Sequence, residues 1–180
     1  MDLQTYLAEG IQESSREVDW EAAYIELEPR VYNYFRYRVG EEPLAEDLTA
    51  ATFEKAWRGR LRFRHNLGAF STWLFTIARN TAADHFRRVR REFPLDERHD
   101  LIEPGSLEDA VQDQQELSRL ERLLAGLPIR ERDLIALKYG GQLANRQIAR
   151  LTRLSESNVG TILSRAVEKI RVEWEKSDGR

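Results

Sequence analysis

Asn80 and Asp84 lie one helical turn apart in residues 69–91, beside a row of arginines whose charge and spacing suit a polyanion. Five arginines against one aspartate occur between positions 79 and 91. Asparagine can read an adenine edge, and aspartate can accept a hydrogen bond from cytosine or orient an arginine. An arginine-rich face can also be merely solvated, but the pairing of Asn80 with Asp84 favours nucleic-acid binding.

A long helix must position that polar face. Apolar residues recur at spacings of three and four, which predicts a helix with one buried side, and they are Phe75, Ala78, Ala82, Phe86 and Val89. The remaining surface carries the polar set, namely Asn80, Asp84, Arg87, Arg88 and Arg91. Packing of the apolar side on a core would therefore leave the polar side available for binding.

Residues 58–67 lie before this helix and alternate basic with apolar side chains. They include Arg58, Arg60, Arg62 and Arg64 together with Leu61 and Phe63. A basic connecting loop is one interpretation. Melted DNA is held by cations along its backbone and by an aromatic or apolar pocket for an extruded base. The position beside the Asn80 helix therefore favours strand capture.

A second DNA-binding pattern lies nearer the C-terminus. A helix at 145–151, a connection at 152–155 and a final helix at 156–174 have the spacing of a helix-turn-helix, with Ser155 as the cap of the last helix. The residues that can pack inward are Ile148, Ala149, Leu154, Val159, Leu163, Ala166 and Ile170. Those left for the major groove are Glu156, Ser157, Asn158, Thr161 and Arg165. The net charge of residues 144–171 is +4, and a small helical bundle without a DNA role is the alternative.

The stretch FSTWLFTIARNTAADHFRR resembles the −10-reading helix of bacterial alternative sigma factors of the extracytoplasmic-function (ECF) type. The family pattern F-x-x-W-L-x-x-I-A-x-N-x-x-x-D-x-x-R-R is matched at Phe70, Trp73, Leu74, Ile77, Ala78, Asn80, Asp84, Arg87 and Arg88. Residues 127–171 resemble the −35-reading domain of the same family. The two resemblances cover roughly 20–91 and 117–171, in the family order.

Two segments depart from the family pattern. Residues 42–58 resemble a segment that packs the domain and contacts the clamp of RNA polymerase, with matches at Asp47, Leu48, Phe53, Ala56 and Trp57. Ala50 and Ala51 replace its usual Gln-Glu pair, so two polar partners for the polymerase are missing while the packing residues are kept. In the recognition helix, Gly160 and Ile162 stand where basic residues are usual. The phosphate grip there is expected to be weaker and to depend more on Arg153, Arg165 and Arg171.

The resemblance implies three sets of binding residues. The set expected to contact the beta and beta-prime subunits of core RNA polymerase is Asp47, Leu48, Ala51, Glu54 and Lys55. The set expected to hold single-stranded promoter DNA at −10 is Arg60, Arg62, Arg64, His65, Asn66, Asn80, Asp84, Arg87, Arg88 and Arg91. The set expected on duplex DNA at −35 is Arg153, Ser155, Glu156, Ser157, Asn158, Thr161, Arg165 and Arg171. An anti-sigma factor is a further partner that the resemblance admits.

Composition and charge are those of a binding protein expected in the cytoplasm. No stretch of the 180 residues suits a membrane span, and the acidic, polar N-terminus is unlike a signal or transit peptide. The absence of cysteine excludes disulfides and thiolate zinc sites. The three histidines, His65, His85 and His99, are scattered, so no metal site is expected, and nothing indicates a cofactor.

The acidic segment between the two patterns reconciles a net charge of −3 with DNA binding. Residues 92–116 hold nine acids against Arg98, so the flanking segments are more basic than the total. With Pro94, Pro104 and Gly105, this region predicts an exposed linker, either solvated or lying in a basic channel of a partner. The expected domains are 17–91 and 113–175, joined by a linker at 92–112.

Local signals place the other helices. A helix or pair of helices is expected from Trp20, with Pro29 near a helix start and Gly40 at the end. Ser106 is expected to cap a helix running toward Leu124, and residues 129–139 form a further short helix stopped by Gly140.

The fold expected is all-α, with two small helical domains joined by the acidic linker and a helix-turn-helix in the second. The function expected is that of a sigma factor that binds core RNA polymerase, directs it to promoters and helps to melt the −10 region. A conventional helix-turn-helix regulator, which binds duplex DNA without polymerase, is the alternative. An all-helical adaptor is less favoured. A nuclease is less favoured still, because Asp84 and His85 lack the second carboxylate of a two-metal site. No catalytic constellation indicates an enzyme.

Overall fold

A computed structural model describes residues 18–64, 69–92 and 112–178, and helices without strands make up those ranges. The first domain contains α1 (Trp20–Val39), α2 (Glu42–Arg58), a 3₁₀ turn (Arg60–Arg62) and α3 (Phe70–Glu92). The second contains α4 (Gln112–Ala125), α5 (Ile129–Ile135) with a π turn (Ala136–Gly140), α6 (Asn145–Thr152) and α7 (Glu156–Asp178). The all-α expectation is confirmed. The expected Ser106 cap and the prolines of the acidic linker lie outside the described residues.

Helix α1 is one continuous helix, and the expectation that Pro29 lies near a helix start is wrong. Pro29 cannot donate to the carbonyl of Ile25, but both residues are exposed, so water can take that carbonyl. On the opposite face, Val31 and Phe35 are fully buried, and their packing carries the helix through the proline. Gly40 ends α1, as predicted, with a left-handed φ of 81°.

The apolar faces of α1, α2 and α3 meet in the core of the first domain. On α3, Phe75, Ala78 and Ala82 are buried, as the helical spacing predicted. One end of this domain is closed by aromatic rings in contact with each other at centroid distances of 5.2 to 5.4 Å, a set formed by Trp20, Trp57, Phe63, Phe70 and Trp73. This aromatic cluster fixes the start of α3 against the chain that leaves α2.

The second domain contains the predicted helix-turn-helix in α6 and α7. Arg153 turns the chain between them with a left-handed φ of 57°, and the Ser155 hydroxyl accepts a hydrogen bond of 3.2 Å from the Asn158 N–H. Ile148 and Val159 are fully buried at the contact of the two helices. The capping and inward packing expected of these segments are therefore confirmed.

The two domains pack against each other, and their buried residues form one continuous apolar cluster. The π turn of the second domain lies along α1, where Arg30 donates two hydrogen bonds, of 2.9 and 3.1 Å, to the Gly141 carbonyl. Arg36 of α1 also pairs with Glu121 of α4. Burial raises the pKa of Glu121, although the Arg36 charge acts in the opposite direction. None of the helices in the described ranges combines the length and apolar character needed to cross a bilayer.

Candidate nucleic-acid interface

Helix α3 presents the predicted polar face to solvent. All five members of that face are exposed, namely Asn80, Asp84, Arg87, Arg88 and Arg91. Arg87 is held by Asp84 at an N–O distance of 3.2 Å, so the aspartate orients an arginine one turn away. This ion pair is exposed and contributes little to stability. Its effect is to fix the direction of a cation on the polar face.

A cleft of about 530 Å³ runs between α2 and α3. Its walls combine residues that the sequence had assigned to two different partners. From the polymerase set it is lined by Leu48, Ala51 and Lys55, and from the −10 set by Asp84, Arg87, Arg88 and Arg91, with Thr81 and His85 between them. The structure therefore brings the two sets together along one groove.

Lys55 joins the two sides of the α2–α3 cleft. Its ammonium lies 3.6 Å from a carboxylate oxygen of Asp84 and donates a 3.1 Å hydrogen bond to the Thr81 hydroxyl. The sequence placed Lys55 on the polymerase face and gave it no contact with α3. Its spacing of seven from Leu48, a buried residue, was the signal for this orientation, because residues seven apart lie on one stripe of a helix.

The rest of the polymerase set divides by exposure. Asp47 and Glu54 are exposed and lie on one side of α2, and Glu54 pairs with Arg58 at 2.6 Å. Leu48 is only 6% exposed and Ala51 is half-buried, so these two mainly pack between the helices. Of these four residues, only the two acids present charge to a partner.

The basic segment after α2 is partly fixed by the aromatic cluster. Arg60 stacks over the Trp57 ring at 4.2 Å and donates to the Trp57 carbonyl at 2.9 Å. Arg62 and Arg64 are exposed, whereas the Phe63 ring packs on Phe70 and Trp73. His65 and Asn66 lie outside the described residues. Arg62 and Arg64 thus continue the exposed positive charge of this segment beyond the stacked Arg60.

In the second domain, the predicted groove-facing residues of α7 lie on one exposed surface. This recognition face comprises Ser155, Glu156, Ser157, Asn158, Thr161 and Arg165, and Arg153 is exposed beside it. Arg171 donates a 2.8 Å hydrogen bond to Glu168, and this bond raises the pKa of Arg171. Gly160 and Ile162, which replace the usual basic residues, are both half-buried. Ile162 packs against the core, so that position contributes to the fold.

The described residues hold no group of three or more histidines and acids that could bind a metal ion. What the two surfaces share is positive charge beside groups that can form hydrogen bonds. The α3 face places an amide and a carboxylate among arginines, and the α7 face places hydroxyls and an amide at a helix N-terminus. Such an arrangement can bind phosphates and read base edges.

Comparison with known proteins gives consistent results along the chain. Residues 23–92 match the family described as Sigma-70 region 2, and residues 117–170 match Sigma-70, region 4. The ECF RNA polymerase sigma factor BldN of Streptomyces coelicolor is 34% identical over 150 residues, which are 82% of this chain and 57% of BldN. RpoE of Cereibacter sphaeroides, also an ECF RNA polymerase sigma factor, is 32% identical over 158 residues, which are 84% of this chain and 86% of RpoE.

Solved structures show the same fold. The sigma factor RpoE of Bartonella quintana, in complex with the anti-sigma factor NepR, matches with a TM-score of 0.74 at 22% identity. The match covers 87% of this chain and 97% of that one. CnrH, in complex with the cytosolic domain of CnrY, matches with a TM-score of 0.58 over 87% of this chain and 84% of its own.

Proposed function

The chain belongs to the ECF family of RNA polymerase sigma factors, and from that membership we propose how its surfaces share the recognition of a promoter. It binds core RNA polymerase, directs it to promoter DNA and helps to open the −10 region. Its action is binding without covalent chemistry, and it works in the cytoplasm. An anti-sigma factor is the proposed regulatory partner.

Core polymerase, through its beta and beta-prime subunits, is bound by the exposed side of α2. Asp47 and Glu54 supply the negative charge of that surface. Because neither acid is needed for packing, both can meet basic groups of the polymerase without disturbing the fold. The missing Gln-Glu pair leaves the two acids as the main polar contacts expected there.

Single-stranded DNA at −10 is bound by the polar face of α3 and by the basic segment before it. Arg87, Arg88 and Arg91 meet phosphates, while Asn80 forms hydrogen bonds with an extruded base. These contacts offset the cost of unstacking, which is a few kcal/mol per step. Asp84 directs Arg87 and, through Lys55, connects this face to α2.

Duplex DNA at −35 is bound by the recognition face of α7 in the major groove. Ser157, Asn158 and Thr161 lie near the start of the helix, as in other helix-turn-helix proteins, and face the bases. Arg153 and Arg171 are positioned for the backbone. Arg165 is the cation of the recognition face that can reach either a base or a phosphate.

The single observation that carries this proposal is the α2–α3 cleft, where residues expected to bind polymerase and residues expected to bind −10 DNA line the same groove. A duplex-only regulator has no use for that groove. The test is transcription in vitro with core polymerase and a genomic fragment library, with and without the chain, followed by permanganate mapping of unpaired thymines. Chain-dependent initiation with melting near −10 is the expected result. Binding to duplex DNA alone, with no effect on core polymerase, would contradict it.

A further inference from the structure

The recognition helix of the second domain carries little positive charge. Between Glu156 and Glu168, Arg165 is the sole basic residue. Gly160 has no side chain, and Ile162 packs against the core. Contacts between cations and phosphates supply a large share of the affinity of a protein for duplex DNA. Cations from elsewhere in the second domain are therefore needed to hold this helix on DNA.

Helix α6, which precedes the recognition helix, carries free arginines. Arg146 and Arg150 lie one turn apart on it and are exposed, as is Arg153 at its end. Within the described ranges, none of these three side chains forms an ion pair or a hydrogen bond. Glu156 is the one acid between positions 142 and 167. Because like charges one turn apart repel each other, Arg146 and Arg150 do not stabilise α6, and their charge stays available to a ligand.

The two arginines of α6 lie on the side of the helix that faces away from the core. Ile148, two residues from each of them, is fully buried on the opposite side. Gln147 and Leu151, each one position further along the chain than an arginine, lie about 100° around the helix. There they contact the first domain, because the Gln147 amide lies 3.5 Å from the Thr72 hydroxyl and the Leu151 carbonyl accepts a hydrogen bond from Arg79. Neither contact covers the two arginines.

The exposed side of α6 borders the recognition helix at Gly160. A Cβ atom added at Gly160 would lie 3.7 Å from Nδ2 of Asn145, which directly precedes Arg146. In a helix-turn-helix, the recognition helix enters the major groove while the first helix crosses the phosphate backbone. Cations on the exposed side of α6 are therefore placed at the backbone beside the groove. The planar fork of an arginine also matches a phosphate in charge and geometry.

We propose that Arg146 and Arg150 bind phosphates of the −35 duplex and replace the basic residues that α7 lacks at positions 160 and 162. This inference rests on the proposed sigma-factor function. It moves part of the phosphate grip from the helix that reads bases to the helix before it. Phosphate contacts carry no sequence information directly, so α6 anchors the second domain while the start of α7 sets the preference for bases.

The test measures binding of the holoenzyme, formed from core polymerase and the full chain, to a promoter fragment recovered in the transcription experiment above. Each arginine on a phosphate adds about 0.9 to the slope with which log affinity falls against log salt. Arg146→Ala combined with Arg150→Ala should therefore lower that slope by about 1.8. If released counterions account for the whole loss, affinity should fall roughly 60-fold at 0.1 M salt and hardly at all near 1 M. The contribution of the polymerase is common to parent and variant, so it cancels in the comparison.

Arg130→Ala provides a matched control, since Arg130 is an exposed arginine of α5 in the same domain. It should keep the parental slope. Circular dichroism and a titration with core polymerase should give parental results for all these variants, because the side chains removed are exposed. A double variant that keeps the parental affinity and slope would overturn the proposal. So would a double variant whose loss is confined to the binding of core polymerase.

Replacement of the missing cations is tested by returning one to α7. Gly160→Lys fits there, because an added Cβ meets the Asn145 nitrogen at an ordinary contact distance and the φ of Gly160 is not positive. In the double variant, Gly160→Lys should restore about half of the lost slope. Gly160→Ala also raises helix propensity and should restore none of it. The lysine should gain less in the parent, where the two arginines already hold the phosphates, and equal gains in both backgrounds would refute the replacement.

Failure of the proposed function would have a different signature. If the parent holoenzyme binds and transcribes DNA no better than core polymerase alone, both the sigma-factor function and this inference fail. If the parent directs transcription and the double variant matches it at every salt concentration, the sigma-factor function stands and only the role of the two arginines is lost.

Discussion

Replacing Asn80 with alanine should impair promoter opening while leaving the protein folded. Asn80 is exposed on the polar face of α3, outside the core, so its truncation should change the free energy of unfolding by less than about 0.5 kcal/mol. One good hydrogen-bonded base contact is worth about 1–3 kcal/mol. The melted complex should therefore form about 5- to 150-fold less readily, with polymerase binding and −35 recognition nearly unchanged.

The measurement pairs permanganate reactivity of unpaired thymines with binding to a template that carries a pre-melted bubble. Thr76→Ala is the matched control, since Thr76 is an exposed polar residue one turn earlier on α3 whose hydroxyl donates to its own helix at the Thr72 carbonyl. It should open the promoter like the parent. If Asn80→Ala also opens the promoter as well as the parent, the role of Asn80 in strand capture is refuted.

Truncation of arginines on the same face of α3 should have a different effect from truncation of Asn80. Arg87→Ala and Arg88→Ala should weaken the melted complex on every sequence, and the loss should shrink as salt rises, because phosphate contacts gain their energy from released counterions. A sequence-dependent loss for these arginines, or a uniform loss for Asn80, would reverse the two assignments.

The remaining predictions concern the other surfaces. Charge reversal at both Asp47 and Glu54 should weaken binding of core polymerase in a titration while thermal unfolding stays near that of the parent; unchanged affinity would remove these acids from the polymerase surface. Arg165→Ala should lower binding to −35 duplex by roughly 1–3 kcal/mol if it reads a base, and by less, on all sequences alike, if it only meets phosphate. Since burial raises the folded-state pKa of Glu121 above its usual value, the folded state binds more protons there than the unfolded state, and the stability of the parent relative to Glu121→Gln should fall as pH rises from about 4 to 7. If denaturant titrations instead show that the free energy of unfolding of the parent rises relative to that of the variant over this pH range, the Arg36 charge outweighs burial.

Short-range signals in the sequence predicted the parts of the fold that depend on neighbours along the chain. Gly40 ends α1, Ser155 caps α7, and the period of three and four placed Phe75 inside and Asn80 outside. Each of these outcomes is decided within one or two helical turns. Pro29 was misjudged because a missing hydrogen bond on an exposed face costs less than the packing of the opposite face gains.

Contacts between distant segments could not be predicted in the same way. Asp133 lies 99 residues from Tyr34 and 54 from Arg79, and a charged residue on an amphipathic helix is indistinguishable from an ordinary surface residue until its partner is known. The same holds for the two sides of the α2–α3 cleft. The sequence predicted the polymerase and −10 sets separately, but it contained no signal that Lys55 joins them except its register with Leu48.

The position of Lys55 has a thermodynamic consequence for the two ligands of the first domain. Its ammonium is shared by a hydroxyl and a carboxylate of α3 while its backbone belongs to α2. A polymerase group that attracts this ammonium would leave Asp84 paired with Arg87 alone, and a DNA phosphate that attracts Arg87 would leave Asp84 paired with Lys55 alone. Because free energies of binding are linked, each ligand must alter the affinity for the other by the same factor. This factor can be measured by adding the polymerase and a −10 strand in both orders. It reports how Asp84 is shared between Lys55 and Arg87.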